Sequence, residues 1–427
     1  MISNSLKYIV IFFATTIITV AGLVIFNLLV DPYDIFGMKK IIHFNAFKPV
    51  IGSNQRAYET ITVLKNKPEA IILGTSRSDI GLSPSNALLP LNTFNVAMSG
   101  QQIWESRKLM QAALEKSAYK KPRIVLIGLD FFAFNNLVPL PFDYNVENFD
   151  SNRPVKLLFS ISTSLDGLRT LIYQGKKNDF YIKGGILDES GFRIYGGNPA
   201  LSQVDRFRGS ENGYFRNVYR PAPECTWKSD AQVNKNDSFE EFRKILELAY
   251  KNHLELKPFI SPSHARQWEV IEVFGLWGKF EDWKRKIARI NQEEAIKWHQ
   301  KEIDIWDFSG YNSITTEPVI GHVDSDQSYY WESSHYKKEL GDLVIARIYG
   351  QQLTNQKIPN DFGFKINSQN IEDWLQRIRS NQALYHRKQP EEHGDVFNIA
   401  LQASKDGPCV NAFATSRVRL NNDKINQ

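Results

Sequence analysis

Two short blocks of this 427-residue chain carry residue types from which acyl-transfer chemistry is built. The first is Gly74-Thr75-Ser76-Arg77, directly after an apolar run. A serine there is a nucleophile if a base reaches it, and otherwise a helix cap. The second is Tyr329-Tyr-Trp-Glu332-Ser-Ser-His335-Tyr336, just before a helix-like segment. A carboxylate three residues before a histidine can accept from one ring nitrogen while the other faces a nucleophile. Each block alone is common and usually structural. Their value lies in where they fall relative to the strands.

Ligands of open α/β sheets bind beyond the carboxyl ends of the strands, so the residues after each apolar run come next. Gly100, in Asn95–Gly100, follows the second run and is a backbone donor for an oxyanion or an ordinary turn glycine. After the third run come Gly128-Leu129-Asp130 and then Asn135 and Asn136. After the fourth comes Ser261-Pro-Ser-His264, where His264 lines a pocket or is a satisfied structural histidine. Arg77 binds a substrate anion or makes an ion pair. Tyr214, with Tyr195, Phe215, Tyr219 and Trp227, offers faces for sugar rings, and Arg206, Arg208, Arg216 and Arg220 offer charge; ordinary packing explains them equally well. His322, Asp324 and Asp326 match no closed metal-site spacing, so neither a metal nor a cofactor is expected. G-x-S-x-G is absent around Ser76, since Ser78 takes the last position.

The elements that must hold these residues follow from hydrophobic patterning. Segments 69–74, 93–97, 123–128, 256–261 and 303–308 are short, apolar and bounded by turn formers, as buried parallel strands are. Helical spacing follows in Ile103–Leu114, in a helix opened by Ser238-x-x-Glu241 as a capping box, in Trp277–His299 and in Tyr336–Gln352. The pattern predicts a doubly wound α/β fold with a flavodoxin-like parallel five-stranded sheet over residues 65–353. A glycine-, asparagine- and tyrosine-rich insertion, about 136–237, is expected to hold little regular structure. Residues 354–427 form a polar extension with a helix only over Ile371–Ile378 and a mobile tail beyond about Gln389.

Tyr8–Val30 contains no charge, and as a helix it spans about 34 Å, enough for a hydrocarbon core of ~30 Å. Bulky Phe26, Leu28, Leu29 and Val30 continue where a cleavage site would need small residues, so an uncleaved anchor followed by a linker over 31–64 is expected. A short tail before the span and a large globule after it place the globule on the extracytoplasmic (periplasmic) side. Net charge is only +5, with 52 Lys+Arg against 47 Asp+Glu, so nucleic acid is not an expected partner. Cys225 and Cys409 exclude a disulfide-dense scaffold and leave one bond or two thiols open.

The order Gly-Thr-Ser, later glycine, Gly-x-Asp and final Glu-x-x-His resembles the SGNH/GDSL hydrolase superfamily, in the style of its membrane-anchored cell-envelope branch, which includes alginate acetylation and teichoic acid D-alanylation proteins. Threonine stands where the family's Gly-Asp-Ser block has aspartate, and Glu332 where its last block has aspartate. The third block lacks the family's asparagine; either Asn135 substitutes for it or the branch manages without it. The resemblance implies a Ser76–His335–Glu332 triad, oxyanion donors from Ser76, Gly100 and Asn135, and substrate contacts from Arg77, His264 and Tyr214. It implies an esterase or O-acyltransferase acting on an envelope polysaccharide or related acyl ester, without cofactor. A transferase would need a multi-spanning acyltransferase partner. The alternative is a catalytically inactive protein that keeps the fold to bind glycan or scaffold an assembly.

Overall fold

Runs such as Ala70–Leu73 and Ile124–Leu129 are apolar at successive positions because both faces of their strands are covered. The computed structural model describes residues 4–115, 121–141, 143, 152–175, 187–188, 190–198, 200–230, 237–320, 327–352, 357–406 and 409. They divide into two units: Met1–Asn66 with Phe142–Glu189 and Arg193–Gly196, and Lys67–Pro141 with Ser190–Phe192 and Gly197–Gln427.

The second unit is a mixed α/β domain. Strands β1 (Ala70–Leu73), β2 (Thr93–Asn95), β3 (Ile124–Leu129), β4 (Glu255–Ile260) and β5 (Ile305–Asp307) are parallel, in the order β2-β1-β3-β4-β5. A sixth strand, β6 (Phe364–Ile366), adds antiparallel to β5. The expectation of five strands is corrected by this edge, three residues long and too short to show a periodicity. The helix Ile103–Glu115 buries Leu109, Met110, Ala113 and Leu114, and Ser238–Lys251 buries Phe239, Phe242, Leu246 and Ala249. The two are joined by Arg107 Nε donating to Glu241 at 2.6 Å. The cap of the second is Asp237, which accepts from the Phe239 amide at 2.7 Å; Ser238 instead donates to Asn136.

Two further expectations change. The insertion holds helices Arg153–Leu158, Ile161–Ile172 and Gln203–Asn217 among its described residues. The polar extension is helical over Ile371–Lys388 and Pro390–Asp406. Part of its polarity goes into buried pairing: Arg266, which also donates to Glu211 at 2.7 and 2.8 Å, donates to Glu392 at 2.6 Å and to Asp395 at 2.6 Å. Trp374 and Lys284 both reach Asp307 at 2.7 Å. Cys225 and Cys409 form a disulfide. Residues 407–408 and 410–427 of the expected tail lie outside the described residues, as do His322, Asp324 and Asp326.

In the first unit, the helix Asn4–Val30 has a span of 26 residues, Ser5–Val30, whose most apolar 18-residue stretch has a mean hydropathy of 2.7, long and apolar enough to cross a membrane. Its end is fixed by Asp31, whose carboxylate accepts from the Ile35 and Phe36 amides at 2.9 and 3.1 Å. Lys48 caps the last carbonyls, Val30 at 2.9 Å and Asp31 at 2.6 Å. Tyr33, Ile35, Val50, Ile61 and Leu157 make a small core beside it.

Candidate active site

Ser76 opens a short helix, Ser76–Gly81, immediately beyond β1. The turn into it needs Gly74, whose φ is +139° and whose Cβ, if present, would lie 2.5 Å from Ser78 Oγ. Thr75 is the N-cap, accepting from the Arg77 amide at 3.3 Å and donating to Asp130 at 2.6 Å. Asp130, just after β3, also accepts from Arg77 Nη1 at 2.9 Å. These contacts bury Thr75, Arg77 and Asp130 and leave Ser76 half-buried, open at the strand ends.

His335 arrives from a tight turn. Tyr330 and Tyr336 pair antiparallel, and the Trp331 amide donates to the His335 carbonyl at 3.0 Å. The loop after β4 clamps the tip: the His264 amide donates to Ser333 O at 3.0 Å, Ser263 Oγ to Ser334 O at 3.2 Å and Gln267 to Ser333 Oγ at 2.8 Å. The following helix, Lys338–Ile348, lies against Ser76–Gly81 at the Gly341–Gly81 contact, where a Cβ on Gly341 would stand 1.8 Å from Gly81 O. Close helix approach therefore brings the two distant blocks together.

His335 Nε2 stands 2.6 Å from Ser76 Oγ, and His335 Nδ1 is hydrogen-bonded to Glu332 Oε1. Glu332 also accepts from the Ser334 amide at 2.7 Å and from the His335 amide at 3.1 Å. Burial opposes its ionisation, but His335, the Ser210 hydroxyl and the Ser334 amide outweigh it and hold the carboxyl below its ordinary value. A carboxylate fixed to Nδ1 leaves Nε2 as the acceptor toward serine, the arrangement acyl transfer uses.

The other expected residues separate into two sets. The Gly100 loop is tied to the Gly74 turn, since the Met98 amide donates to Gly74 O at 3.0 Å and Gln101 Oε1 accepts from the Gly74 amide at 2.9 Å. Tyr214 faces the centre, sharing a 2.6 Å hydrogen bond with the Ser334 hydroxyl, and burial raises its pKa. Asn135 is corrected as an oxyanion donor. It is fully buried, donating to Val218 O at 3.2 Å and accepting from the Leu137 and Lys228 amides at 3.3 and 3.1 Å. Arg77 is corrected as an anion binder, because it lies buried against Asp130 and donates to Ser334 Oγ at 3.1 Å. His264 is fully buried. It caps Ala265–Val273, Nδ1 accepting from the Arg266 amide at 3.2 Å and Nε2 donating to Glu317 O at 2.8 Å. Tyr219 and Trp227 are buried, as packing predicts, with Phe131 stacked on Trp227.

Spacing had not revealed Ser333, Ser334 and Gln267, which hold the turn; small hydroxyl residues between Glu332 and His335 were the only signal. Four groups elsewhere could hold a metal ion: Glu269, Glu272, His386 and His393, with ligand atoms within 4.8 Å of one another. Here both imidazoles are already hydrogen-bonded to Glu269, that of His386 at 2.9 Å. Comparison with protein-family models and with curated proteins finds no match.

Proposed function

We propose that this chain is a membrane-anchored serine esterase or O-acyltransferase with a flavodoxin-like, SGNH-type catalytic domain. The observation that carries the reading is the 2.6 Å approach of His335 Nε2 to Ser76 Oγ with Glu332 on the other ring nitrogen. In the reaction, Ser76 Oγ attacks an ester carbonyl while Nε2 takes its proton. The Ser76 and Gly100 amides are the donors for the tetrahedral oxyanion, each worth ~3–4 kcal/mol of transition-state stabilisation. The imidazolium then protonates the departing alkoxide, leaving an acyl-enzyme. Water completes hydrolysis; a sugar hydroxyl completes transfer.

The disulfide supports an extracytoplasmic globule, since such bonds persist in oxidising compartments. The envelope polysaccharide rests on the resemblance and on the anchor. A second reading, a non-catalytic glycan-binding or scaffolding protein, is favoured by one observation: Asn135 is buried, with its side chain bonded to Val218, Leu137 and Lys228. A fluorophosphonate probe separates the two. Labelling of the full chain that disappears in Ser76→Ala supports catalysis. Absence of labelling in well-folded protein establishes the binding reading instead.

A further inference from the structure

The helix Ile161–Ile172 is amphipathic in the reverse sense to a helix on a water-soluble surface. Its buried positions are Thr163, Asp166, Gly167 and Thr170. Its exposed positions include Ile161, Leu165, Leu168 and Ile172, between 49 and 70% accessible. Those four recur at i, i+4, i+7 and i+11, a single stripe along the helix. Val155 of the preceding helix and Phe159 just after it extend the apolar surface at 57 and 58%. Water penalises such a patch, which on a soluble monomer marks an interaction site.

The same unit shows what covers it. Asn27, near the end of the apolar helix Asn4–Val30, donates to Leu158 O at 2.8 Å and Ser160 O at 3.1 Å, and accepts from Ser164 Oγ at 2.8 Å. Phe26 packs on Gly167, where a Cβ would come within 2.7 Å of its ring. Tyr33 donates to Asp166 at 2.6 Å. The polar face of Ile161–Ile172 is therefore bound to the end of the apolar helix, three to four residues, or about 5 Å, inside it. That depth is where interfacial helices sit, ~5–10 Å into the boundary between headgroups and acyl chains. Lys156 and Arg169 are exposed on the same segment, Arg169 pairing with Asp166 at 2.8 Å, and cationic groups at this depth suit anionic headgroups.

We infer that Arg153–Leu158 and Ile161–Ile172 form a monotopic membrane-binding element, with Leu165, Leu168 and Ile172 immersed in the bilayer surface beside the anchor. The full chain thus has a second attachment that fixes how its first unit meets the lipid. The inference rests on Asn4–Val30 as a bilayer-spanning helix, and it is independent of the chemistry at Ser76.

The native cysteines are paired, so one introduced thiol can be labelled selectively. Full-length Leu168→Cys, and separately Leu165→Cys, would carry a bimane in nanodiscs containing anionic lipid, with Leu384→Cys as the exposed control at 40% accessibility. Lipids with a nitroxide near the headgroup should quench bimane at 165 and 168 at least about twofold more than at 384, and blue-shift its emission. Equal quenching at all three sites, in protein of unchanged melting temperature, overturns the inference. Disulfide cross-linking between chains through Leu168→Cys without lipid quenching also overturns it, by assigning the stripe to a second copy. A bimane at Val10→Cys that escapes deep-nitroxide quenching would show that the spanning helix itself is wrong.

Discussion

Glu332 is one methylene longer than an aspartate, and the turn around it absorbs the extra length. Its two oxygens accept from two backbone amides of its own turn as well as from His335, so the carboxylate is fixed before any substrate arrives. Because its pKa is lowered, it contributes stability above the ordinary carboxyl value and loses it as pH falls through the depressed one. Glu332→Gln keeps the size but can place a donor against Nδ1–H. The imidazole then turns its Nε2–H toward Ser76 and ceases to be a base. We expect kcat on a short-chain p-nitrophenyl ester to fall about 10³–10⁴-fold with little change in KM, and Glu332→Asp to lose much less. A Gln variant within tenfold of wild type would remove Glu332 from the machinery. At this scale the sequence was informative about which side chains meet: residue type and order single out Ser76, Glu332 and His335, and the three do converge. It was uninformative where a role depends on what is already satisfied. Asn135 and Arg77 have the right groups, but both are buried, Asn135 bonded to Val218 and Lys228 and Arg77 paired with Asp130.

His264 shows how an element rather than a residue holds the site. Its ring caps Ala265–Val273, its backbone amide holds Ser333, and it lies edge-on between Phe207 and Tyr330. Nδ1 accepts and Nε2 donates, so only the neutral ring fits, and burial pulls its pKa from 6.5 to about 4. The folded state thus resists a proton that the unfolded chain takes up. Stability is full above the unfolded value, declines as pH falls from 6.5 toward 4, and the loss is complete below that, roughly 3 kcal/mol in all. His264→Asn can still cap but cannot titrate. Urea unfolding at pH 7 and pH 4.5 should show a smaller acid loss in the variant, by about 2 kcal/mol, whatever its stability at neutral pH. Parallel losses in both proteins would assign the acid sensitivity elsewhere. Five strands and the helices around them were legible because burial on both faces writes continuous apolar runs. The helix Pro390–Asp406 was not, because Glu392 and Asp395 look like solvent-facing charges until Arg266 is placed beside them.

Each of the two units carries a feature that reports on its surroundings. The first holds an apolar helix with an outward-facing apolar stripe beside it. In the second, Cys225 and Cys409 join positions 184 residues apart, with Cα atoms 5.5 Å apart. Closing so long a loop restricts the unfolded chain by about 5 kcal/mol in the chain-entropy treatment. The bond lies just beyond the helix Pro390–Asp406, whose Glu392 and Asp395 meet Arg266 two residues from the His264 cap. Its removal should therefore loosen the C-terminal helices before the sheet. In Cys225→Ser/Cys409→Ser protein we expect the melting temperature to fall by several degrees and amide exchange to accelerate over 390–406 while β1 and β3 stay protected. The same pair reads the compartment. Maleimide trapping in intact cells, before lysis, should find both thiols already blocked if the second unit lies outside the cytoplasm. Free, alkylatable thiols in the anchored full-length chain would place it on the cytoplasmic side, where reducing couples keep such bonds open. An envelope polysaccharide would then be out of reach, and an esterase of this design would have to find its substrate among cytoplasmic acyl esters.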